Sequence, residues 1–248
     1  MGYRKFGQHF LIDKQVAERE VDYADPNKND VVLEIGPGKG ILTRLLAEKV
    51  KKVIAVEIDP YLVKKLESTL PDNVMLINAD AIEIDFKTLP AFNKIVSNLP
   101  FQISSPVTFK FLRYPFSKAV LIYQKDFAER MAAAPNTKHY SRLSVGIYYK
   151  TECVILETVP KKCFYPVPKV DSSIVELTRR ETPPFTVLDE KFFFDLTKTL
   201  FNHRRKKIRN ILKDIYGKLE DIPYLDKRVE EITPEQIGEL SNLLYNKM

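Results

Sequence analysis

The sequence predicts an α/β fold: a mostly parallel sheet flanked by helices, followed by a smaller helical segment. Three observations carry this. Short apolar runs alternate with amphipathic stretches, glycines cluster where the first run ends, and the alternation stops near residue 181. Strand–helix–strand order is the signature of a parallel sheet whose crossovers are helical.

"VVLEIG" (31–36) is the first strand, and in "ILTRLLAEKV" (41–50) Ile41, Leu42, Leu45, Leu46 and Val50 recur at helical spacing. "KVIAVEID" (52–59) is a second strand, and "PYLVKKLESTL" opens with Pro60 at a first helical position. "VMLINAD" (74–80), "KIVSN" (94–98) and "KAVLIYQ" (118–124) supply three more strands. "ECVILETV" (152–159) and "SSIVELTRR" (172–180) are separated only by the turn-rich "PKKCFYPVPKVD", which predicts antiparallel pairing at a sheet edge rather than a crossover. Beyond "TPPF" the chain reads as helices. The last has a capping box formed by Thr233 and Gln236 around Pro234. The expected division is therefore residues 1–180 and residues 181–248.

With 248 residues, 44% of them hydrophobic and 29% charged, the chain reads as globular rather than disordered. No window approaches the roughly 18 apolar residues of a membrane span, and "MGYRKFGQHF" lacks the apolar core of a secretion signal. A cytoplasmic location is expected. Cys153 and Cys163 lack metal-ligand spacing and read as reduced structural thiols, so no metal is expected. The formal charge of +6 suits a polyanionic partner. Residues 1–180 hold 27 Lys/Arg against 21 Asp/Glu, whereas residues 181–248 hold 12 of each. Any basic surface of the tail must come from clustering.

"EIGPGKG" (34–40) joins the first strand to the first of these helices. Gly36 and Gly38 let the backbone turn tightly and let a ligand approach closely, although a plain tight turn uses the same residues. The spacing is G-x-G-x-G, not the G-x-G-x-x-G of dinucleotide folds. Glu57 ends the second strand, where an acid can accept both hydroxyls of a ribose. Asp80 ends the third, where a carboxylate can accept from an adenine amine. Each acid alone also reads as a cap or a solvated strand end. Together they line the carboxyl edge of a parallel sheet and describe an adenosine bearing something other than phosphate. A cationic sulfonium tolerates Glu34, Glu57 and Asp80 better than a pyrophosphate does, so S-adenosylmethionine fits best.

The fourth strand ends in "SNLPF" (97–101) at the same edge. The lone pair of an adenine exocyclic amine is delocalised into the ring, which makes it a poor nucleophile. Donating its N–H groups to two fixed acceptors, the Asn98 side-chain oxygen and the Leu99 carbonyl, would localise that pair. Pro100 stiffens the turn for a near-attack geometry, and Phe101 offers a flat face to an extruded base. An Asx turn leaving a strand is the plainer alternative.

"GQHFLID", "VLEIGPGKGILT", "AVEID", "NADA", "SNLPFQISSP" and "FYPVPKVDSSIV", in this order, closely resemble the KsgA-type ribosomal RNA adenine dimethyltransferases. The resemblance covers residues 2–180, and "FNHRRKKIRNIL" (201–212) extends it. It implies a Rossmann-like, seven-stranded methyltransferase domain over 1–180 and a small RNA-contacting helical domain over 181–248. It also implies dimethylation of two adjacent adenosines in the terminal helix of small-subunit ribosomal RNA by a monomer, acting on a late assembling particle. Donor-binding positions carried over are His9, Leu11, Gly36, Glu57, Asp80 and Asn98. His9 stands where the family usually has Asn, and Phe101 where Tyr is frequent; a lone histidine is also often structural. Phe164 is expected as the second face of a base sandwich.

"QKDFAERMAAAPNTKHYSRLSV" (124–145) resembles the family's segment beside the target-base pocket, and its loop from Ala134 to Tyr140 is expected to be mobile without RNA; a plain helix connection is the alternative. Arg204, Arg205, Lys206, Lys207, Arg209 and Lys213 are expected on one helical segment, contacting phosphates, where a solvated face is the bland reading. "YRKF" is expected as a second basic arm. Rival readings are a large-subunit adenine methyltransferase of the macrolide-resistance type, a non-catalytic assembly factor and, remotely, a dinucleotide oxidoreductase.

Overall fold

A computed structural model describes residues 8–217 and 220–247; "YRKF" lies outside the described residues. In chain order the elements begin with β1 (Phe10–Leu11), α1 (Lys14–Tyr23), β2 (Val31–Ile35), α2 (Ile41–Lys49), β3 (Lys52–Glu57), α3 (Pro60–Glu67) and β4 (Val74–Asn78). β5 (Lys94–Asn98), α4 (Ser104–Phe111), β6 (Lys118–Gln124), α5 (Lys125–Met131) and α6 (Arg142–Lys150) follow. The chain then forms β7 (Thr151–Val159), β8 (Phe164–Tyr165), β9 (Ser172–Arg179), α7 (Glu190–Asn202), α8 (Ile208–Tyr216) and α9 (Pro234–Tyr245).

Seven strands form one sheet in the order β4-β3-β2-β5-β6-β9-β7, and β1 pairs antiparallel with β8 in a separate ribbon. β2 pairs in parallel with both β3 and β5, β3 with β4, and β5 with β6, whereas β9 runs antiparallel to β6. β7 is the edge strand beside β9. Val32, Leu33, Val53, Ile54, Ile95, Val96, Val120 and Leu121 are all buried. Continuous apolar runs of this kind are what a sheet covered on both faces requires.

The strand order reverses between β2 and β5, because the chain winds outward through β3 and β4 and then returns to the other side of β2. Ligands bind at such switch points. The β2–β5 backbone pairing covers Val32↔Lys94 and Leu33↔Ile95. Further along, a side chain takes over. The Ser97 hydroxyl donates to the Ile35 carbonyl (2.6 Å) and accepts the Ile35 N–H (3.1 Å). Both groups are buried, and a buried backbone group without a partner is costly.

The chain forms two compact units, residues 1–128 with 152–179, and residues 129–151 with 180–248. This corrects the single cut expected after residue 180: α6 belongs with the tail. Tyr140, Val145 and Tyr149 are buried in one apolar cluster with Phe193, Leu200, Ile211 and Leu240, and the Tyr149 ring lies 5.1 Å from that of Phe193. The apolar face of α6 thus completes the core of the second unit. α9 has the expected cap, with the Thr233 Oγ1 accepting from Gln236 N–H (3.3 Å) and Gln236 Oε1 accepting from Thr233 N–H (3.0 Å).

Ser97→Ala leaves both Ile35 backbone groups unpaired. It should lower the unfolding free energy by about 1–3 kcal/mol, measured by urea denaturation. Unchanged stability would mean that the backbone pairing alone holds the two strands.

Candidate active site

A cleft of ≈ 190 Å³ opens at the carboxyl ends of β2, β3 and β5. One water needs about 10–15 Å³ by this measure, so the cleft accommodates a ligand of many atoms. His9, Leu11, Gly36, Gly38, Glu57, Asp80, Asn98 and Pro100 all line it. Every donor-site residue expected from the sequence is therefore gathered here.

The glycine loop has the conformation that its spacing suggests. Gly36 and Gly38 take φ +71 and +58, in the left-handed region where side chains are disfavoured. A Cβ on Gly38 would come within 2.8 Å of the Phe10 ring, and one on Gly36 within 3.2 Å of Pro100. The Gly36 N–H donates to the Val56 carbonyl (2.8 Å) and the Gly38 N–H to Glu57 Oε2 (3.1 Å). Glu57 Oε1 accepts from the Asp59 N–H (3.0 Å). Each Glu57 oxygen therefore has one backbone donor and one further lone pair for a ligand hydroxyl. Burial raises the pKa of Glu57.

Asp80 Oδ1 accepts from the Ile82 N–H (2.7 Å). Its loop is held from α4, where Lys110 Nζ donates to the carbonyls of Ala81 (3.0 Å), Ile82 (2.8 Å) and Ile84. Sequence reasoning did not single out Lys110. Nothing in a lone helical lysine signals that three carbonyls await it.

His9 joins three separate motifs. Its carbonyl accepts from Asn98 Nδ2 (3.4 Å), and its Nδ1–H donates to the Pro166 carbonyl (2.6 Å). Its ring centroid lies 5.5 Å from that of Phe101. With Nδ1 the donor, Nε2 is the acceptor nitrogen of the neutral ring. The Asn98 bond orients the amide so that nitrogen faces His9 and Oδ1 remains as an acceptor. Leu99 is buried, and Pro100 precedes a single 3-10 turn over Phe101–Ile103 that leads into α4.

Of two buried carboxyls here, Glu34 is expected from the sequence and Glu20 is not. Glu20 on α1 and Glu34 on β2 are fully buried, and among the described residues both Glu20 oxygens and Glu34 Oε2 have no hydrogen-bond partner. Burial, reinforced by Glu34, raises the Glu20 pKa well above its usual range; burial, with Glu57 adding, pushes Glu34 up to about 8. Both acids therefore hold protons that the unfolded chain has already released near pH 4.5. Folding stability falls as pH rises from there through about 8.

Three expectations need correction. Phe164 is 0% exposed, within the core cluster that contains Leu11, Val16 and Val159, so it presents no open face to a base. Successive residues of a strand point to opposite faces, and the exposed ring is Tyr165. The basic stretch is not one helix either. α7 ends at Asn202, and Arg204, Arg205 and Lys206 lie in the turn before α8, with Lys207 at its N-cap.

Leaving the helix lets Arg204 reach Glu230 Oε2 (2.6 Å) and the carbonyls of Lys138 (2.8 Å) and Thr137 (2.9 Å), so it is a structural tie. Lys207 (3.7 Å) and Arg209 (2.9 Å) share Asp226. Arg205, Lys206 and Lys213 are exposed and have no ion pair among the described residues. The Ala134–Tyr140 loop is tied at several points rather than loose. The Asn136 N–H donates to the Glu230 carbonyl (2.8 Å) and the buried Tyr140 hydroxyl to that of Ile232 (3.1 Å).

Cys153 and Cys163 are free thiols, and among the described residues no cluster of His, Cys, Asp and Glu could hold a metal. No helix among them is long and apolar enough to cross a membrane.

The family described as ribosomal RNA adenine dimethylase matches residues 2–245. The chain belongs to this family. A relative from Methanococcus maripaludis, named probable ribosomal RNA small subunit methyltransferase A, is 45% identical, covering 99% of this chain and 98% of its own. A protein of the same name from Methanosarcina acetivorans is 44% identical over 97% and 93%. Among solved structures, a dimethyladenosine transferase from Plasmodium falciparum superposes with a TM-score of 0.81 at 28% identity, covering 96% and 98% of the two chains. The 23S rRNA methyltransferase ErmE gives 0.67 at 29% over 94% and 98%. The fold of this dimethylase is thus that of the class I methyltransferases, and the enzyme is a ribosomal RNA adenine methyltransferase.

Replacing Glu20 with Met removes a buried acid without removing volume. Glu20→Met should raise unfolding free energy at pH 8 by about 1–3 kcal/mol and less at pH 5, as followed by urea unfolding at both. A loss of stability at pH 8 would mean that the carboxyl has a partner it depends on.

Proposed function

We propose that the enzyme transfers methyl groups from S-adenosylmethionine to the exocyclic amines of two adjacent adenosines near the 3′ end of small-subunit ribosomal RNA. We place this step late in ribosome assembly, in the cytoplasm, with the protein acting as a monomer on the assembling particle. The orientation of Asn98 supports this most directly, since its oxygen is left to accept at the mouth of the cleft. The names of the 45% and 44% identical relatives favour the small subunit.

The cleft fits the donor. Glycines 36 and 38 leave room that a Cβ would fill, Glu57 keeps lone pairs for a ribose, and Asp80 for an adenine amine. Glu34 has a buried oxygen without a partner among the described residues. Glu57 and Asp80 suit a cationic ligand and oppose a pyrophosphate. When bound, the donor supplies an electrophilic methyl group.

The protein's own part is positioning. Asn98 Oδ1 and the Leu99 carbonyl accept the two N–H groups of the target amine, which localises its lone pair. Pro100 fixes the turn in a near-attack arrangement, and the half-buried Phe101 stacks on the extruded base. Once nitrogen has been alkylated it is cationic and acidic, so its proton leaves to water without a dedicated base. The unpaired Arg205 and Lys206 of the α7–α8 turn contact RNA phosphates, with Lys207 and Arg209 contributing as far as Asp226 releases them.

Asn98→Ala should keep donor affinity within several-fold and lower the methylation rate by at least about 100-fold, the scale of losing one positioned polar group. Labelled donor incubated with each isolated ribosomal subunit gives the readout. Label in the large subunit alone would favour the activity named for ErmE, and normal methylation by Asn98→Ala would remove the acceptor role.

A further inference from the structure

We propose that Tyr165 and Lys39 form a second platform at the rim of the cleft. This platform takes the nucleotide next to the methylated adenosine, with the phenol ring under its base and the ammonium on its phosphate. The inference rests on the RNA methylation reading above and specifies how the neighbouring nucleotide is held.

The β1–β8 ribbon sets up the arrangement. Phe10 pairs with Tyr165 and Leu11 with Phe164. Leu11 and Phe164 point into the core, while the Tyr165 ring is 57% exposed. An aromatic ring of this size left in water forgoes a large burial gain. The Tyr165 hydroxyl has no hydrogen bond among the described residues either. Two more apolar side chains of the same short loop, Val167 and Val170, are also exposed. The patch is therefore a surface awaiting an apolar face rather than a stray residue.

Lys39 supplies the charge. It belongs to the glycine loop and is the one lysine or arginine among the described residues lining the cleft. Its Nζ lies 5.4 Å from the Phe10 ring centroid and 5.9 Å from that of Tyr165, within cation–π range of both. It forms no ion pair among the described residues. The cleft's carboxylates Glu57 and Asp80 repel a phosphate, so an RNA strand delivering an adenine here needs a compensating cation at the rim. Lys161, Lys162 and Lys169 are exposed in the loops around β8, with Asp171 as their acidic neighbour. A stacking ring beside unpaired cations is the combination that single-stranded RNA uses, and no base-edge reading is required of it.

The test compares methylation of small subunits from cells lacking the enzyme, and of a matching RNA fragment with or without an abasic site beside the target adenosine. Tyr165→Ala should lower kcat/KM on the intact RNA about ten- to hundredfold, with donor binding by calorimetry within twofold. Tyr165→Phe should restore most of the loss. The abasic RNA should cost the wild type a similar factor and cost Tyr165→Ala nothing further. Lys39→Met should reduce the slope of log(kcat/KM) against log salt by about one phosphate contact.

Wild-type kinetics for Tyr165→Ala, or an equal further loss on abasic RNA, would overturn the platform. So would a Lys39→Met defect confined to donor affinity. Failure of the wild type to methylate either subunit would instead overturn the proposed function.

Discussion

The exchange of hydrogen bonds between the Ser97 hydroxyl and both backbone groups of Ile35 is the constraint on which the site depends. β2 and β5 diverge where the strand order reverses, and two diverging strands lose their backbone ladder. A residue able both to donate and to accept must replace it without filling the space. Serine does this with one oxygen. The next residue, Asn98, is thereby delivered to the crevice at a fixed height relative to the glycine loop that follows Ile35. The glycine loop and the Asn98 amide are thus indexed to each other through a single side chain.

Around this point the site is assembled by backbone donors and carbonyls more than by side-chain pairs. Glu57 is shaped by the N–H groups of Gly38 and Asp59, the Asp80 loop by Lys110, and Asn98 by the carbonyl of His9. His9 also meets the Pro166 carbonyl and the Phe101 ring. An imidazole at this position therefore serves as a junction between motifs. The buried pair Glu20 and Glu34 adds negative potential behind the cleft whenever either ionises, which favours a cationic ligand and disfavours phosphate.

Much of this was legible in the sequence because parallel sheets impose a strong pattern. Val31–Ile35, Lys94–Asn98 and Lys118–Gln124 stand out as apolar runs because both sheet faces are covered, and the residues ending those runs must fall on one edge. Glycine spacing, Glu57, Asp80 and Asn98 follow from that geometry. What was not legible depends on tertiary contact. Phe164 and Tyr165 are adjacent aromatics, and only the register of a two-residue strand decides which is inside. The helical periodicity of α7 continues into the cations, but Arg204 finds Glu230 and two carbonyls by leaving the helix. α6 looks like part of the first domain in chain order, yet its aromatic face fits the core built by α7, α8 and α9. A buried glutamate such as Glu20 reads in sequence as an ordinary helix surface residue.

The central claim is geometric: the adenine amine is held by the Asn98 side-chain oxygen and the Leu99 carbonyl while the methyl donor occupies the cleft between the glycine loop and Asp80. A crystal structure of the enzyme with a donor analogue and an RNA fragment carrying the target adenosine measures it directly. The account predicts both oxygens at hydrogen-bond distance, about 2.7–3.2 Å, from the amine nitrogen, with the base against Phe101. An ordered target base whose amine lies beyond reach of Asn98, with the amide still bound to His9, would contradict it.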